Sequence, residues 1–502
     1  MSDTLSNRQA PIAMEADAFR ELGHQVIDQL SEFLVMLPDH RVAPGKTPPE
    51  IRSLLPEGGL PEYGTDVAPL LLETLALLKD NLAFNGHPRF WGYITASPTP
   101  IGMLADLISS ALNPNCALWT VSPLATEIEL QTAQWLAEFV GYPLTSGGVM
   151  SSGGQWANYI GLLVARQAKA PWDVRALGSS DGSGRRLCIY ASVESHGWLK
   201  AAANIFGFGQ QSLRWIPTTS DQSMDLEALA HAVAADQAAG NIPMAVVGVA
   251  GTVGTGAIDP LVEIGDLCER AGIWFHVDGA YGAPAIAVPG TSERLVGLRR
   301  ADSVAIDPHK WLYAPIDAGC TLVRDPELLT ATFSSHPEYY YVGGERDSPP
   351  VNLHEIGPEN SRRFRALKVW LALRQVGRSG YVQMIGDDIA LTQRLFHRVA
   401  EHPELEARTL GLSIATFRYV PAGVPVGAEA REAYLNRLNR ELLLELVRQG
   451  ELLISNAIVN GTFLLRACIV NFRTSAEDVD ALPAIVARVG AEMHQALRER
   501  EA

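Results

Sequence analysis

The stretch ADSVAIDPHKWLYAP, residues 301–315, runs from the end of an apolar strand into a proline turn and a lysine beside a tryptophan. Residues 304–306 are apolar, as in a buried strand, and Asp307, His309 and Lys310 follow them directly. A lysine at the end of an apolar strand normally extends its ammonium group to solvent. A lysine that is instead crowded and shielded from water acts as an amine nucleophile and forms a Schiff base with a carbonyl. The surrounding sequence has to decide between these two interpretations.

Short apolar runs alternate with segments of helical period between about residue 130 and residue 330. The runs are LCIYAS (187–192), MAVVGVA (244–250), IWFHVD (273–278), SVAID (303–307) and GCTLVR (319–324). Continuous apolar strands separated by helices predict a mostly parallel sheet with helices on both faces. The sequence therefore predicts an α/β fold in which ligands bind beyond the carboxyl ends of the strands.

Polar side chains follow the carboxyl ends of these runs and are expected at one edge of the sheet. They are Glu194, Ser195 and His196 after the first run, Thr252 after the second, Asp278 at the end of the third, and the residues of the opening stretch. Asp278 has two interpretations, a cap for the next turn or the partner of a ligand cation. His276 and Asp278 have the alternation of a metal pair, but no third ligand lies near them in sequence, so we expect no metal.

A glycine- and serine-rich segment at 147–169, GGVMSSGGQWANYIGLLVARQAK, leads directly into an apolar helix. Glycines let backbone N–H groups approach an anion, and the helix dipole favours one there, although a plain tight turn is the alternative. The glycine spacing is that of neither a Rossmann fingerprint nor a P-loop.

An aldehyde that also carries a phosphate group and a pyridinium nitrogen matches three of these features. The lysine can bind its aldehyde, the aspartate its ring nitrogen and the glycine-rich segment its phosphate. That molecule is pyridoxal 5′-phosphate (PLP), with His196 expected flat against its ring.

Several segments resemble the PLP-dependent group II amino-acid decarboxylases, which include aromatic-L-amino-acid, histidine and glutamate decarboxylases. They are SHGWLKAA, HVDGAYG, DPHKWL, HPEYY, SRRFRALKVW and LRACIVNFRTS, and the match extends from HPRFWGYITAS (87–97) to about residue 480. The resemblance implies a fold-type I homodimer with active sites at the subunit interface. It also implies an N-terminal helical dimerisation segment (1–86), a large seven-stranded PLP-binding domain (87–383) and a small α+β domain (384–502).

The resemblance implies roles for the residues that match the family's motifs. Lys310 resembles the Schiff-base lysine, Asp278 the partner of the pyridine nitrogen, and His196 the histidine that stacks on the ring. Two further cofactor-binding residues are expected at the ring, Ala280 beneath it and Thr252 beside it. The phosphate is expected to be surrounded by Gly154, Gln155, Asp307 and His309 of the same chain and by Ser361 of the other subunit. Tyr339, in a long loop at 334–360, resembles the residue that protonates the substrate carbanion from the partner subunit. The expected catalytic residues are therefore Lys310, His196 and Tyr339.

The expected reaction is decarboxylation of an L-amino acid to its amine and carbon dioxide. The substrate pocket is expected around Tyr93, Thr95, Asn115, Ala117 and Trp119. Aromatic residues there favour an aromatic substrate, and these segments contain no arginine for a second carboxylate. Three alternatives stay open: a decarboxylase of glutamate, aspartate, diaminobutyrate or histidine, an aldehyde synthase, and a protein of this fold that only binds a partner. The tyrosine of the loop favours amine formation over aldehyde formation.

Composition and charge exclude several other classes of protein. The 502-residue chain has a formal net charge of −16 and no basic stripe, so a nucleic-acid partner is not expected. Its first fifteen residues lack a basic start that leads into an apolar run, and no stretch of about eighteen uncharged apolar residues occurs. We therefore expect a cytoplasmic protein without a membrane segment. Five cysteines without CxxC spacing indicate neither a disulfide framework nor a thiolate metal site.

Overall fold

The computed structural model describes residues 10–335, 350–424 and 427–501. Its helices are α1 (Ala16–Met36), α2 (Pro48–Arg52), α3 (Val67–Asn81), α4 (Pro100–Leu112), α5 (Pro123–Phe139), α6 (Gly154–Lys169), α7 (Val174–Leu177), α8 (Trp198–Ile205), α9 (Leu226–Ala238), α10 (Leu261–Ala271), α11 (Ser292–Leu295), α12 (Glu327–Phe333), α13 (Ala366–Glu401), α14 (Ala428–Gln449) and α15 (Ala476–Glu501). Its strands are β1 (Gly147–Ser151), β2 (Leu187–Ser192), β3 (Leu213–Ile216), β4 (Ile242–Val249), β5 (Trp274–Asp278), β6 (Ser303–Ile306), β7 (Gly319–Val323), β8 (Leu405–Gly411), β9 (Ile414–Tyr419), β10 (Ser455–Val459) and β11 (Thr462–Cys468).

A seven-stranded sheet forms the centre of the molecule, in the order β1-β7-β6-β5-β4-β2-β3. Neighbouring strands from β3 to β6 run parallel, whereas β7 is antiparallel to both β6 and β1. Every residue of β2, β5, β6 and β7 is buried, so both faces of the sheet are covered. The predicted mostly parallel sheet is confirmed, and the five apolar runs correspond to β2, β4, β5, β6 and β7.

Two strands of this sheet were not expected from the sequence. The start of the glycine-rich segment forms β1 rather than a loop, so the turn into α6 is much shorter than predicted. A Cβ atom at Gly148 would lie 2.7 Å from Ala133 Cβ and 2.9 Å from Leu322 Cδ2, so close packing requires a glycine there. Glycine is depleted in strands and resembles a turn signal, which hid β1. β3 is only four residues long and half-buried in its middle, and it gave no clear apolar pattern.

A second, four-stranded antiparallel sheet lies in the C-terminal part, in the order β10-β11-β9-β8. The apolar side chains of β9 and β11 pack with α14 and α15 in a separate core that includes Phe417, Leu442 and Leu465. Trp91 belongs to this core although it precedes the large sheet in sequence, and its Nε1–H donates to Thr474 Oγ1 at 3.1 Å. The predicted small α+β unit is therefore present, and the segment around Trp91 packs into it.

Helix α13 connects the two sheets. It packs against α4 and α5 near the large sheet and against α15, β8 and β9 of the small one. Gly377 interrupts its helical geometry with a φ of 67° and a ψ of 170°. Residues on this helix therefore contact both parts of the molecule.

The N-terminal part of the chain contains the helices α1 and α3, as expected of a helical segment. Within the described chain, no residue of either helix is buried. Their apolar side chains therefore form a face that the described residues leave open to solvent. None of the helices in the described ranges carries an apolar stretch long enough to span a bilayer.

Candidate active site

A cavity of about 590 Å³ opens beyond the carboxyl ends of β2, β4 and β5, between the large sheet and the small one. Its lining comes from elements far apart in sequence. The residues used below are Tyr93, Gly154, Gln155, Asn158, Glu194, His196, Trp198, Asp278, Ala280, Tyr281, Lys310, Ser455, Asn456, Ile458 and Arg466. The predicted lysine, aspartate, histidine and glycine segment therefore meet in one place, as expected for strand ends of an α/β sheet.

Lys310 is held at the cavity by the turn that follows β6. Its backbone N–H donates to Asp307 O at 2.8 Å, and its Nζ lies 3.3 Å from Asp307 Oδ2. The same oxygen accepts the Gly154 N–H at 2.9 Å, which joins the lysine turn to the start of α6. His309 lies beside them, with Nδ1 3.2 Å from Asp307 Oδ1. Asp307 therefore joins Lys310 to the start of α6, and its expected place beside the phosphate stays a prediction.

Glycine is required where α6 begins at the cavity. A Cβ atom on Gly154 would lie 2.7 Å from Asp307 Oδ2 and 3.0 Å from Ala280 Cβ. Gly153 has a φ of 134°, a conformation that other residues rarely adopt. The N-terminus of α6 therefore faces the cavity at close range to Ala280, and its free N–H groups suit a phosphate.

Asp278 is bound on two sides and lines the cavity as well. Its Oδ2 accepts the Trp198 Nε1–H at 2.8 Å, its Oδ1 accepts the Ala280 N–H at 3.2 Å, and it is only 8% exposed. The bond to Ala280 is the turn cap that the sequence allowed, yet a carboxylate has further acceptor sites. Asp278 can therefore cap its turn and still accept a hydrogen bond from a pyridinium nitrogen.

His196 is neutral in this environment. Its Nδ1 accepts the backbone N–H of Trp198 at 3.2 Å, which leaves the ring proton on Nε2. Desolvation lowers the pKa of His196, and the charge of Lys310 lowers it further, while Asp278 opposes the shift. A neutral imidazole at the cavity wall can stack on a flat ring and donate one hydrogen bond.

Both ring nitrogens of His276 are hydrogen-bonded to other side chains, so in this arrangement neither is available to bind a metal. Its Nδ1 lies 2.7 Å from Ser303 Oγ and its Nε2 2.8 Å from Asn158 Oδ1, and burial lowers the pKa of its ring to about 4. Asn158 in turn donates from Nδ2 to Gly154 O at 2.9 Å. The chain of bonds therefore runs from the sheet interior to the loop that opens α6.

Some of the other predicted residues line the cavity and others do not. Thr252 is buried just outside the cavity, where its Oγ1 accepts the Ala257 N–H at 3.1 Å. Of the predicted pocket residues, Tyr93 lines the cavity, while Asn115, Ala117 and Trp119 bond to residues within 352–362 instead. Thr95 is absent from the described lining.

Ser361 is exposed and does not line this chain's cavity, and Tyr339 lies outside the described residues. The assignments of Ser361, which was expected to contribute to the other subunit's site, and of Asn115, Ala117 and Trp119 stay predictions. The assignment of Tyr339 stays a prediction too.

Arg466 is the functional candidate that sequence reasoning missed. It lies on β11, is 2% exposed and lines the cavity. Its Nη1 donates to Ser455 Oγ at 2.8 Å and to Tyr93 O at 3.2 Å, but its Nε and Nη2 have no hydrogen-bond partner among the described residues. The available signal was a charged residue inside the apolar run TFLLRACIV. Residues of β10, among them Asn456 and Ile458, were missed as well because no motif marks them.

Comparison with known proteins extends the likeness over nearly the whole chain. The model of the pyridoxal-dependent decarboxylase conserved domain matches residues 48–419. An aromatic-L-amino-acid decarboxylase of Bacillus atrophaeus is 32% identical over 469 residues, 93% of this chain and 94% of that protein. A phenylacetaldehyde synthase of Arabidopsis thaliana is 28% identical over 465 residues, 91% of this chain and 92% of that protein. The crystal structure of Oryza sativa TDC with PLP and tryptamine has a TM-score of 0.88 at 27% identity, covering 97% of this chain and 100% of that one.

Proposed function

This chain belongs to the pyridoxal-dependent decarboxylase family, and on that basis we propose that it converts an aromatic L-amino acid into the corresponding amine and carbon dioxide. Its cofactor is pyridoxal 5′-phosphate. The observation that carries the proposal is the convergence of Lys310, Asp278, His196 and the start of α6 on one cavity. A protein of this fold that only bound a partner would have no need of that arrangement.

The bound cofactor supplies an electron sink that accepts the electron pair of the breaking bond between Cα and the carboxylate. We propose that Lys310 Nζ would hold the cofactor's aldehyde carbon. Asp278 would accept a hydrogen bond from the ring nitrogen, and its negative charge would keep that nitrogen protonated. Neutral His196 would contact the ring and help to orient the substrate, and Tyr339 would supply a proton to the substrate's Cα.

An aromatic side chain fits the part of the cavity nearest the small sheet. Tyr93, Val253 and Ile458 provide apolar contact area there, and relatives named for aromatic substrates support the same choice. The specific observation in favour of a second candidate, an acidic amino acid, is Arg466, which lines the cavity and whose buried Nε–H and Nη2–H groups have no hydrogen-bond partner among the described residues. A guanidinium in that position suits a side-chain carboxylate.

A panel of the twenty amino acids, dopa and 5-hydroxytryptophan, scored by carbon dioxide release, tests the substrate class. We expect aromatic amino acids to react with the highest kcat/KM. For two aromatic substrates that differ by about one methylene group, we expect the kcat/KM values to differ by no more than about 10- to 200-fold, because a mostly apolar pocket separates similar side chains weakly. A higher kcat/KM with glutamate or aspartate would contradict the aromatic assignment and would give Arg466 the role of side-chain ligand.

We further propose that the enzyme acts in the cytoplasm as a homodimer, divided into segments 1–86, 87–383 and 384–502. The uncovered apolar faces of α1 and α3 support this assembly, because an exposed surface with such side chains as Phe19, Leu70 and Leu78 favours burial against a partner. The placement of Ser361 outside its own chain's cavity is consistent with a contribution to the second site.

Replacing Tyr339 with phenylalanine tests the choice between amine and aldehyde. Without the phenol, protonation of Cα slows, and dioxygen can oxidise the same carbon, with hydrolysis by one water, to give aldehyde, ammonia and hydrogen peroxide. We expect less amine and more aldehyde and peroxide, measured by chromatography and a peroxidase-coupled assay. Tyr340→Phe, its neighbour in sequence, is the matched control and is expected to keep the wild-type product ratio.

Mixed dimers separate the role of Tyr339 from the assembly. If this residue acts across the interface, a mixture of Lys310→Ala and Tyr339→Phe chains regains amine formation, because one of the two sites in each mixed dimer has both residues intact. Unchanged amine output in Tyr339→Phe itself removes the residue from the mechanism. A mixture that regains no activity although mixed dimers form places the residue in its own chain's site.

A further inference from the structure

Asp388 is a buried carboxylate that lies behind the segment carrying Lys310. It is on α13, is 1% exposed, and its Oδ2 accepts the Trp311 Nε1–H at 2.9 Å and the Tyr313 hydroxyl at 2.7 Å. These two donors are the first and third residues after Lys310. One oxygen atom therefore holds the chain immediately next to the reactive lysine.

The segment that follows Lys310 needs this external support because its backbone is strained. Tyr313 has a φ of 53°, in the left-handed region that a bulky residue rarely adopts, and its N–H donates to Lys310 O at 3.1 Å. Such a conformation costs free energy and persists where surrounding contacts enforce it. The hydrogen bond from its hydroxyl to Asp388, and the stacking of its ring on Tyr381 at 6.4 Å, are contacts of that kind.

The same network reaches the other half of the cofactor site. Trp311 stacks on Tyr281 with ring centroids 4.9 Å apart and an interplanar angle of 15°. Tyr281 lines the cavity three residues after Asp278, and its hydroxyl bonds to Ser413 in the small-sheet region, 2.7 Å from Oγ and 2.9 Å from the backbone N. The Lys310 turn and the Asp278 turn are therefore joined through two stacked rings.

The second oxygen of Asp388 connects this network to the C-terminal part. Its Oδ1 accepts the backbone N–H of Asn471 at 3.4 Å, directly after β11. All three donors are neutral groups, and burial raises the pKa of Asp388 to about 7. A buried carboxylate held only by neutral donors is weak evidence for a stabilising role, since an apolar residue of similar volume often stabilises a core as well or better. Its geometry indicates positioning.

We propose that Asp388 is a positioning residue that holds the Lys310 turn, through Trp311 and Tyr313, in the orientation required for attack on the cofactor's aldehyde, and links that turn to the small sheet. The inference rests on the assignment of Lys310 as the cofactor-binding lysine. It is independent of which amino acid the enzyme accepts.

The test is the rate at which apoenzyme forms the visible absorption band with added pyridoxal 5′-phosphate, in Asp388→Asn against wild type. An asparagine keeps the shape of the side chain but must turn its NH2 group toward a former donor, so at least one bond is lost. We expect band formation to slow by about tenfold to a hundredfold, because small displacements of a reacting group have effects of that size. Far-ultraviolet circular dichroism is expected to match wild type.

Two further variants show whether the effect passes through the proposed bonds. Tyr313→Phe removes one donor without changing charge, and we expect it to slow band formation by about fivefold. Combined with Asp388→Asn it is expected to add little further slowing, because both changes act on the same hydrogen-bond network. If Asp388→Asn does not accumulate as folded protein, Tyr313→Phe decides: slowing supports the proposal, and an unchanged rate overturns it.

Asp236→Asn is the matched control. Asp236 is also buried and accepts a tyrosine hydroxyl, from Tyr190 at 2.9 Å, but it lies on α9 away from the cavity lining. We expect its band formation to keep the wild-type rate even where its thermal stability falls. A rate for Asp388→Asn within about twofold of wild type, or equal slowing in Asp236→Asn, overturns the proposal. No substrate is present in this assay, so a wrong substrate assignment leaves its outcome unchanged.

Discussion

Lys310→Ala is expected to abolish the visible absorption band of the bound cofactor and to lower amine formation by about three orders of magnitude or more. We proposed Nζ as the group that holds the aldehyde carbon, and among the described residues no other lysine lines the cavity. The remaining cavity still provides the N-terminus of α6 for the phosphate. We therefore expect the variant to retain weak, noncovalent cofactor binding, measured by equilibrium dialysis beside the spectrum.

Lys200→Ala is the matched control for this prediction. Lys200 is on α8, close in sequence to His196, but its Nζ lies over the Trp215 ring at 5.5 Å and does not line the cavity. We expect the Lys200→Ala variant to keep the wild-type cofactor absorption band and the wild-type rate of amine formation. A persistent band in Lys310→Ala would contradict the assignment of this lysine, as would a wild-type apoenzyme that stays colourless when pyridoxal 5′-phosphate is added.

Asp278→Asn is expected to lower kcat by about a hundredfold or more while the protein still folds. The amide keeps an oxygen for the Trp198 Nε1–H or the Ala280 N–H, so the turn survives. The amide lacks the negative charge that is proposed to keep the cofactor's ring nitrogen protonated. The cofactor is then expected to accept the electron pair of the breaking bond less readily. The measurement is single-turnover carbon dioxide release, with cofactor affinity determined separately by dialysis.

Trp198→Phe tests whether the reaction depends on the charge of Asp278 or on the hydrogen bonds that hold its carboxylate. This variant removes one neutral hydrogen bond to the carboxylate and leaves the charge in place, so we expect a loss of about tenfold or less. Equal losses in Asp278→Asn and Trp198→Phe would show that geometry, and not the charge, matters at this position. A loss below about tenfold in Asp278→Asn would remove the ring-nitrogen role from this residue.

Much of the site was predictable because its chemistry is concentrated at strand ends. Asp278 ends an apolar run, His196 and Lys310 come within four residues of one, and parallel strands deliver their carboxyl ends to one edge. The same logic placed the glycine segment there, although it missed β1, since glycines required by close packing look like a turn. What the sequence did not show is that Asp307 contacts both Lys310 and Gly154.

Other contacts gave no sequence signal. Trp198 is two residues from His196, but nothing in SHGWLKAA indicates that its indole donates to Asp278, on another strand. Arg466 was visible only as a charge within an apolar strand, and its direction toward the cavity depends on how β11 lies beside Tyr93. Asn115, Ala117 and Trp119 were expected in the substrate pocket, yet within this chain they bond to residues in 352–362.

By itself, the sequence determined the α/β class and the family and proposed the reactive lysine, because these depend on the order of short segments and on residues that are neighbours in the chain. Only the tertiary structure decided what surrounds that lysine. Asp388 is 77 residues from Trp311 in sequence, and it lies within 2.9 Å because α13 passes behind the lysine turn. Hydrogen bonds and stacking act at short range between atoms that the fold brings together, and no local pattern records which distant helix supplies them.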